Sequence, residues 1–153
     1  MSSIELKKYS DKYLSGIISC LKRNYSRFGC MHDLDVYKFI KPLITYDFSE
    51  EYSYKKGDYG YVLLEEDNVV GFFGMIYYRV KSKNGKIYSV ANPTTWAIDN
   101  KYRIYIFQVT ELLCKETDVV IDVTPSYKEL IIEKNMFGFQ DLSLKKIRFF
   151  SMK

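Results

Sequence analysis

Residues 96–103 read Trp96-Ala97-Ile98-Asp99-Asn100-Lys101-Tyr102-Arg103, and a segment ending in Leu112-Leu113 follows them. Two periodicities meet inside this stretch. Before Asp99, Ile87 to Ile98 is strand-like and apolar, interrupted at Pro93. After Asn100, the apolar residues Ile106, Val109, Leu112 and Leu113 recur at helical spacing as far as about Glu116. Further along, Val119 to Val123 is apolar except for Asp122 and reads as a short central strand covered on both faces. Thr124-Pro125-Ser126 opens a helix over about 126–136, Gly138 ends it, and Phe139 to Met152 forms a final strand or strand pair.

Working back toward the N-terminus, Lys83-Asn84-Gly85-Lys86 carries the Asn-Gly pair favoured in tight hairpins. Before it, Val69 to Val80 is a long apolar strand with Gly71 and Gly74 inside it. Glu66-Asp67-Asn68 supplies turn chemistry behind a strand from Tyr59 to Glu66. These three strands make an antiparallel meander. Residues 45–58 read as a loop. Asp33 caps a helix through Leu34, Tyr37, Phe39 and Ile40 that Pro42 is expected to stop, and Ser10-Asp11 caps one over roughly 11–26. Ile4 to Lys8 is an edge strand. The order is strand, two helices, three strands, helix, strand, helix, strand, which is an α/β (α+β) mixed, mostly antiparallel central sheet with helices on both faces.

The composition fits one domain over 1–153. The chain is 47% hydrophobic, and its 15 Tyr and 10 Phe suit a pleated, half-buried surface. The net charge of +4 comes from scattered lysines rather than one dense basic block, which argues against nucleic acid as the partner. No apolar run approaches the ~20 residues that span a bilayer, so a cytoplasmic protein without membrane attachment is expected. Cys20, Cys30 and Cys114 are odd in number and without CxxC spacing, and read as reduced thiols with no metal site implied.

Two segments resemble the GNAT superfamily of acyl-CoA-dependent N-acyltransferases over nearly the whole chain. The first is the 96–103 stretch with its Tyr102-Arg103 pair before a helix, similar to the family's central strand and pyrophosphate loop. The second is Ile131-Ile132-Glu133-Lys134 through Phe137-Gly138-Phe139-Gln140, similar to the late helix and its Gly-Phe junction, about 35 residues further on. The resemblance implies that the third meander strand and the next strand splay apart, with an acyl-CoA thioester in the gap. It implies acetyl-CoA or another acyl-CoA as co-substrate, and Trp96, Ala97, Ile98, Arg103, Tyr105 and Ile106 as the cofactor-binding residues.

The family's small residues are replaced. Counting its Arg/Gln-x-x-Gly-x-Gly/Ala pattern from Arg103 places Ile106 and Gln108 at the small positions, and a shift of one places Phe107 and Val109 there. Arg103 is the group suited to take over a phosphate contact. The tyrosine that serves the family as an acid falls on Lys134 or Ile132 here, so Tyr127, with Ser126, stands in as the catalytic candidate. Asp122 is the carboxylate candidate for a base. His32, Asn92, Thr94 and Thr124 are candidates for the acceptor site, with Pro93 implying a bulge that aims Asn92, Thr94 and Trp96 at it.

These features point to an N-acyltransferase acting on a small amine, an amino sugar among the candidates, as a monomer or homodimer. Two alternatives stay open: a non-catalytic binding or regulatory protein on the same fold, and an acyltransferase that takes its acyl group from an acyl carrier protein.

Overall fold

A computed structural model describes residues 3–44, 52–55, 57–122, 131 and 134–140. They fall into two compact units, Met1–Val123 and Thr124–Lys153. The first unit holds a five-stranded sheet in the order β1 (Ile4–Lys8), β2 (Gly60–Glu65), β3 (Asn68–Lys81), β4 (Ile87–Ile98) and β5 (Val119–Val120). The first four strands pair antiparallel and β5 runs parallel to β4. Its helices are α1 (Leu14–Asn24), α2 (Ser26–Gly29), α3 (Asp33–Ile44) and α4 (Tyr105–Glu116). This is the mixed, mostly antiparallel α/β architecture expected.

Each face of the sheet buries its own core. On one, Ile17, Leu21, Phe28, Val36 and Ile40 from α1, α2 and α3 pack on Val62, Phe72 and Ala97. On the other, Val109 and Leu113 from α4 pack on Leu63, Phe73, Met75 and Ile98. The alternation along β3 and β4 makes both layers possible, and each fully buried side chain of this size contributes about 1.5–3 kcal/mol.

The structure corrects several expectations. The helix expected over 11–26 is a 3-10 turn at Asp11–Tyr13, then α1, then the single turn α2. Pro42 does not stop α3, which continues to Ile44. So near the C-terminus the proline's missing N–H costs one bond and leaves the rest of the ladder intact. The strand expected over 119–123 is the two-residue β5, half-buried and last in the described sheet rather than central. In the second unit, Ile131 and Lys134–Phe137 are helical and Gly138 follows at φ 69°, the left-handed conformation that ends a helix. The strand expected over 139–152 lies almost wholly outside the described residues.

Candidate active site at the end of β4

β4 and β5 are paired at Val90↔Val119 and Ala91↔Val120, with Ile121 N–H donating to Ala91 O at 2.9 Å. Alternation then places Pro93 next in the row of β4 that faces β5, and proline has no N–H to continue the ladder. Asn92 takes its place: with the amide oriented to donate, its nitrogen lies 2.9 Å from Ile121 O and 3.1 Å from Pro93 O. Two residues later the register against β3 shifts between Phe73 and Gly74, leaving Thr95 without a partner at φ 52°. This bulge turns Trp96 and Ile98 into the positions whose backbone groups face the β5 side.

Trp96 is fixed from three directions. Its indole Nε1–H donates to Gly74 O at 3.1 Å, its ring stands edge-on to Phe73 at 5.1 Å between centroids, and its carbonyl accepts the Tyr25 hydroxyl from the α1–α2 junction. Ala97 and Ile98 bury their side chains in opposite core layers, so only their backbone can serve a ligand. Cys20 lies beneath, its Sγ 3.7 Å from Ala97 O. Burial, with Asp99 adding to it, pushes this thiol up to about 12, so it is protonated at neutral pH and is no nucleophile.

Asp99 carries β4 into α4. Its carboxylate accepts Arg23 Nη2 at 2.9 Å and Asn24 Nδ2 at 2.8 Å, while Arg23 Nη2 also donates to Val69 O at 2.9 Å. One side-chain cluster thus ties the end of α1 to the start of β3 and the end of β4. Because Arg23 is half-exposed, solvent screening limits what the ion pair is worth. Asp99→Ala is expected to lower stability by about 1–2 kcal/mol, a fall of roughly 3–6 °C in thermal midpoint by circular dichroism. An unchanged midpoint would show that the cluster holds nothing in place.

A 3-10 turn at Asn100–Tyr102 follows, and α4 begins without an acidic residue in its first turn. Ile106 N–H bonds to Arg103 O at 3.1 Å and Phe107 N–H to Ile104 O at 3.3 Å, so the chain winds tightly where glycines would open it. Arg103 is exposed, Ile104 is 66% exposed, and Tyr105 and Ile106 are half-buried. An exposed guanidinium at the positive end of a helix dipole is an environment suited to an anion.

Of the other expected site residues, Thr94 lies beside the bulge and Asp122 is half-buried just past β5. His32 is exposed, and its carbonyl accepts the Asp35 and Val36 N–H groups at the start of α3. It borders an open depression shared with Lys22, Cys30, Met31 and Leu34. Thr124, Ser126 and Tyr127 lie outside the described residues. Sequence reading missed Tyr25, Arg23 and Thr95. For Thr95 there was a signal, a β-branched residue two places after a strand-breaking proline.

No protein-family model and no curated protein sequence matches the chain. Solved structures do. An acetyltransferase from Trypanosoma brucei superposes with a TM-score of 0.59 at 15% identity, covering 97% of this chain and 100% of that one. The aminoglycoside N-acetyltransferase AAC(6')-Iy in complex with CoA gives 0.58 at 9% identity, with 100% and 97% covered. Glucosamine-6-phosphate N-acetyltransferase from Arabidopsis thaliana gives 0.55 at 16% identity, with 97% and 99% covered. At these identities the likeness is one of fold, and the fold is that of GNAT N-acetyltransferases.

Proposed function

We propose that this GNAT-fold chain is a cytoplasmic N-acyltransferase whose residues 1–153 act as one domain, moving an acetyl or other acyl group from acyl-CoA to a small amine. The observation that carries the reading is the end of the described β4–β5 pairing at Ala91, where Pro93 lacks the next N–H, together with a helix start that has no acidic residue and an exposed Arg103. In this reading the acyl-pantetheine lies along the β5 side of β4, bonded to the backbone of Trp96 and Ile98. The side chains of Ala97 and Ile98 anchor the strand in the cores on its two faces, and Trp96 is braced so that it cannot swing into the thioester. Arg103, with Tyr105 and Ile106 beside it, supports the pyrophosphate. CoA supplies the thiolate leaving group. The chain supplies position and polarisation, which carry much of the rate in direct acyl transfer.

The acceptor is an amine that loses a proton as it attacks. We assign the acceptor side to Thr94, with Thr124 and His32 as further candidates, and proton transfer to Tyr127, Ser126 and Asp122. Asn92 is half-buried and its amide spans β4 and the residue after β5, so it acts on the acceptor by holding the fork in shape. The aminoglycoside and amino-sugar phosphate acceptors of the two structural neighbours make a polar, amino-bearing sugar the first class to screen.

Calorimetric titration with acetyl-CoA tests the reading. Micromolar binding at about one site per chain is expected, weakened about tenfold by Arg103→Ala and weakened further in high salt. Absence of binding to acetyl-CoA and to longer acyl-CoAs would sink it. The tight, isoleucine-bearing start of α4 favours a second reading, in which the acyl group arrives on an acyl carrier protein and no free pyrophosphate needs a cradle. Turnover with acyl carrier protein but not with acyl-CoA would identify that case.

A further inference from the structure

Among the described residues, Lys55, Glu66 and Thr95 have left-handed backbone without being glycine. Lys55 lies between α3 and β2 and Glu66 between β2 and β3, and both are unbranched at Cβ. Thr95 is neither: it lies inside β4, and a β-branched side chain is the worst accommodated at positive φ, because its second γ atom crowds the backbone. Elsewhere the chain meets positive φ with glycine, at Gly57, Gly60, Gly85 and Gly138. Glycine at 95 would make the same bulge without strain. What threonine adds is a hydroxyl, held past the described pairing of β4 with β5.

The hydroxyl's surroundings give it a direction. Thr94 Oγ1 and Thr95 Oγ1 are 3.4 Å apart, so both hydroxyls lie on one side of the strand, and both residues are half-buried. If Thr94 donates to Thr95, the Thr95 O–H is released to donate elsewhere. A hydroxyl from one strained residue thus lies next to Trp96, which would bind the thioester.

We infer that Thr95 is a catalytic residue of the acyl transfer, its hydroxyl receiving the charge that develops on the thioester oxygen. The inference rests on the acyl-transfer reading above. In the first step the amine nitrogen bonds to the carbonyl carbon and the C=O π pair moves onto oxygen, which Thr95 holds. In the second the C=O re-forms, the C–S bond breaks, and the thiolate takes up the proton that the ammonium releases. The products are an amide and CoA thiol, so no other reactant is needed. A preorganised donor of this kind is worth more in a site shielded from water than in solution.

The test uses the full chain with [1-13C]acetyl-CoA and three variants. Infrared difference spectra report the stretch of the bound carbonyl. Release of CoA thiol with glucosamine as the acceptor reports turnover. Thr95→Ser keeps the hydroxyl, so the carbonyl band should stay lowered in frequency and turnover near that of the parent. Thr95→Val keeps the shape and the strain, so the band should move back toward its solution position and thiol release fall about 10²-fold, with acetyl-CoA binding little changed. Thr95→Gly should raise the thermal midpoint while losing turnover, a pairing that a purely structural role would not produce. A valine variant with parental turnover and band position would overturn the inference. So would a parent protein that binds acetyl-CoA with no carbonyl shift, and this would leave the CoA reading standing. A parent that binds no acyl-CoA would overturn both.

Discussion

Replacing Gly60 with alanine is expected to lower stability by about 4 kcal/mol, moving the thermal midpoint down by roughly 10 °C or abolishing the cooperative transition. Gly60 opens β2 at φ 111°, outside even the left-handed well that asparagine tolerates. A Cβ built there would sit 2.0 Å from Phe73 O and 3.1 Å from Met75 N, and backbone cannot rotate away as a side chain can. The position is also bonded on its other side, since Tyr9 N–H donates to Gly60 O at 2.9 Å and Gly60 N–H to Asp58 Oδ1 at 3.1 Å. Relief therefore requires β1 or β3 to move away from β2.

Gly57 separates the two contributions. Its φ of 80° is also positive, but a Cβ there meets nothing within 4 Å. Gly57→Ala should cost only the backbone strain, about 1 kcal/mol. Guanidinium unfolding of the two variants would measure the difference. Similar losses at both positions would mean that strand contact at Gly60 contributes nothing, and that conformation alone explains the glycine.

The meander is legible in the sequence because its signals are local. Asn84-Gly85 fixes the turn, where Gly85 adopts φ 85°, and the apolar runs either side of it need no distant partner to be recognised. The candidate site is legible only in outline. Pro93 says that a ladder is broken, but which ladder depends on β5, a segment that begins more than twenty residues later and pairs through only two positions. Tyr25 had no signal at all. It is one of 15 tyrosines and reaches a carbonyl 71 residues away, a distance that helical or strand periodicity cannot span. Arg23 and Asp99 are likewise unremarkable as residues, because surface charges of both signs occur throughout the chain. Pro42 misleads for the opposite reason: its local signal is strong, but a proline in the last turn loses only one bond.

The fork itself depends on a glycine that reads in the sequence merely as a weak point in a strand. Gly74 pairs with Gly60 on one side and with Thr94 on the other, so the row crossing the sheet at the bulge is nearly bare of side chains. A Cβ on Gly74 would lie 2.4 Å from Thr94 O and 3.2–3.3 Å from the Phe72 ring. Thr94 O is backbone of the bulge, so alanine would have to push β4 outward just before Thr95. Gly74 O, which receives the Trp96 indole N–H, would shift with it. Gly74→Ala is therefore expected to cost about 3 kcal/mol and to weaken acetyl-CoA binding at least tenfold at temperatures where the variant is still folded. Gly71→Ala is the internal standard on the same strand. Its Cβ would meet side-chain carbons of Leu63 at 3.2 Å and Ile98 at 3.3 Å, which can yield by a few tenths of an ångström. That variant should lose about 1 kcal/mol and keep its ligand, because Ile98 would give way without moving the bulge. If Gly74→Ala bound acetyl-CoA as tightly as Gly71→Ala, the ligand would not depend on the shape of β4 at Thr94 and Thr95. The thioester would then have to lie elsewhere on the fold.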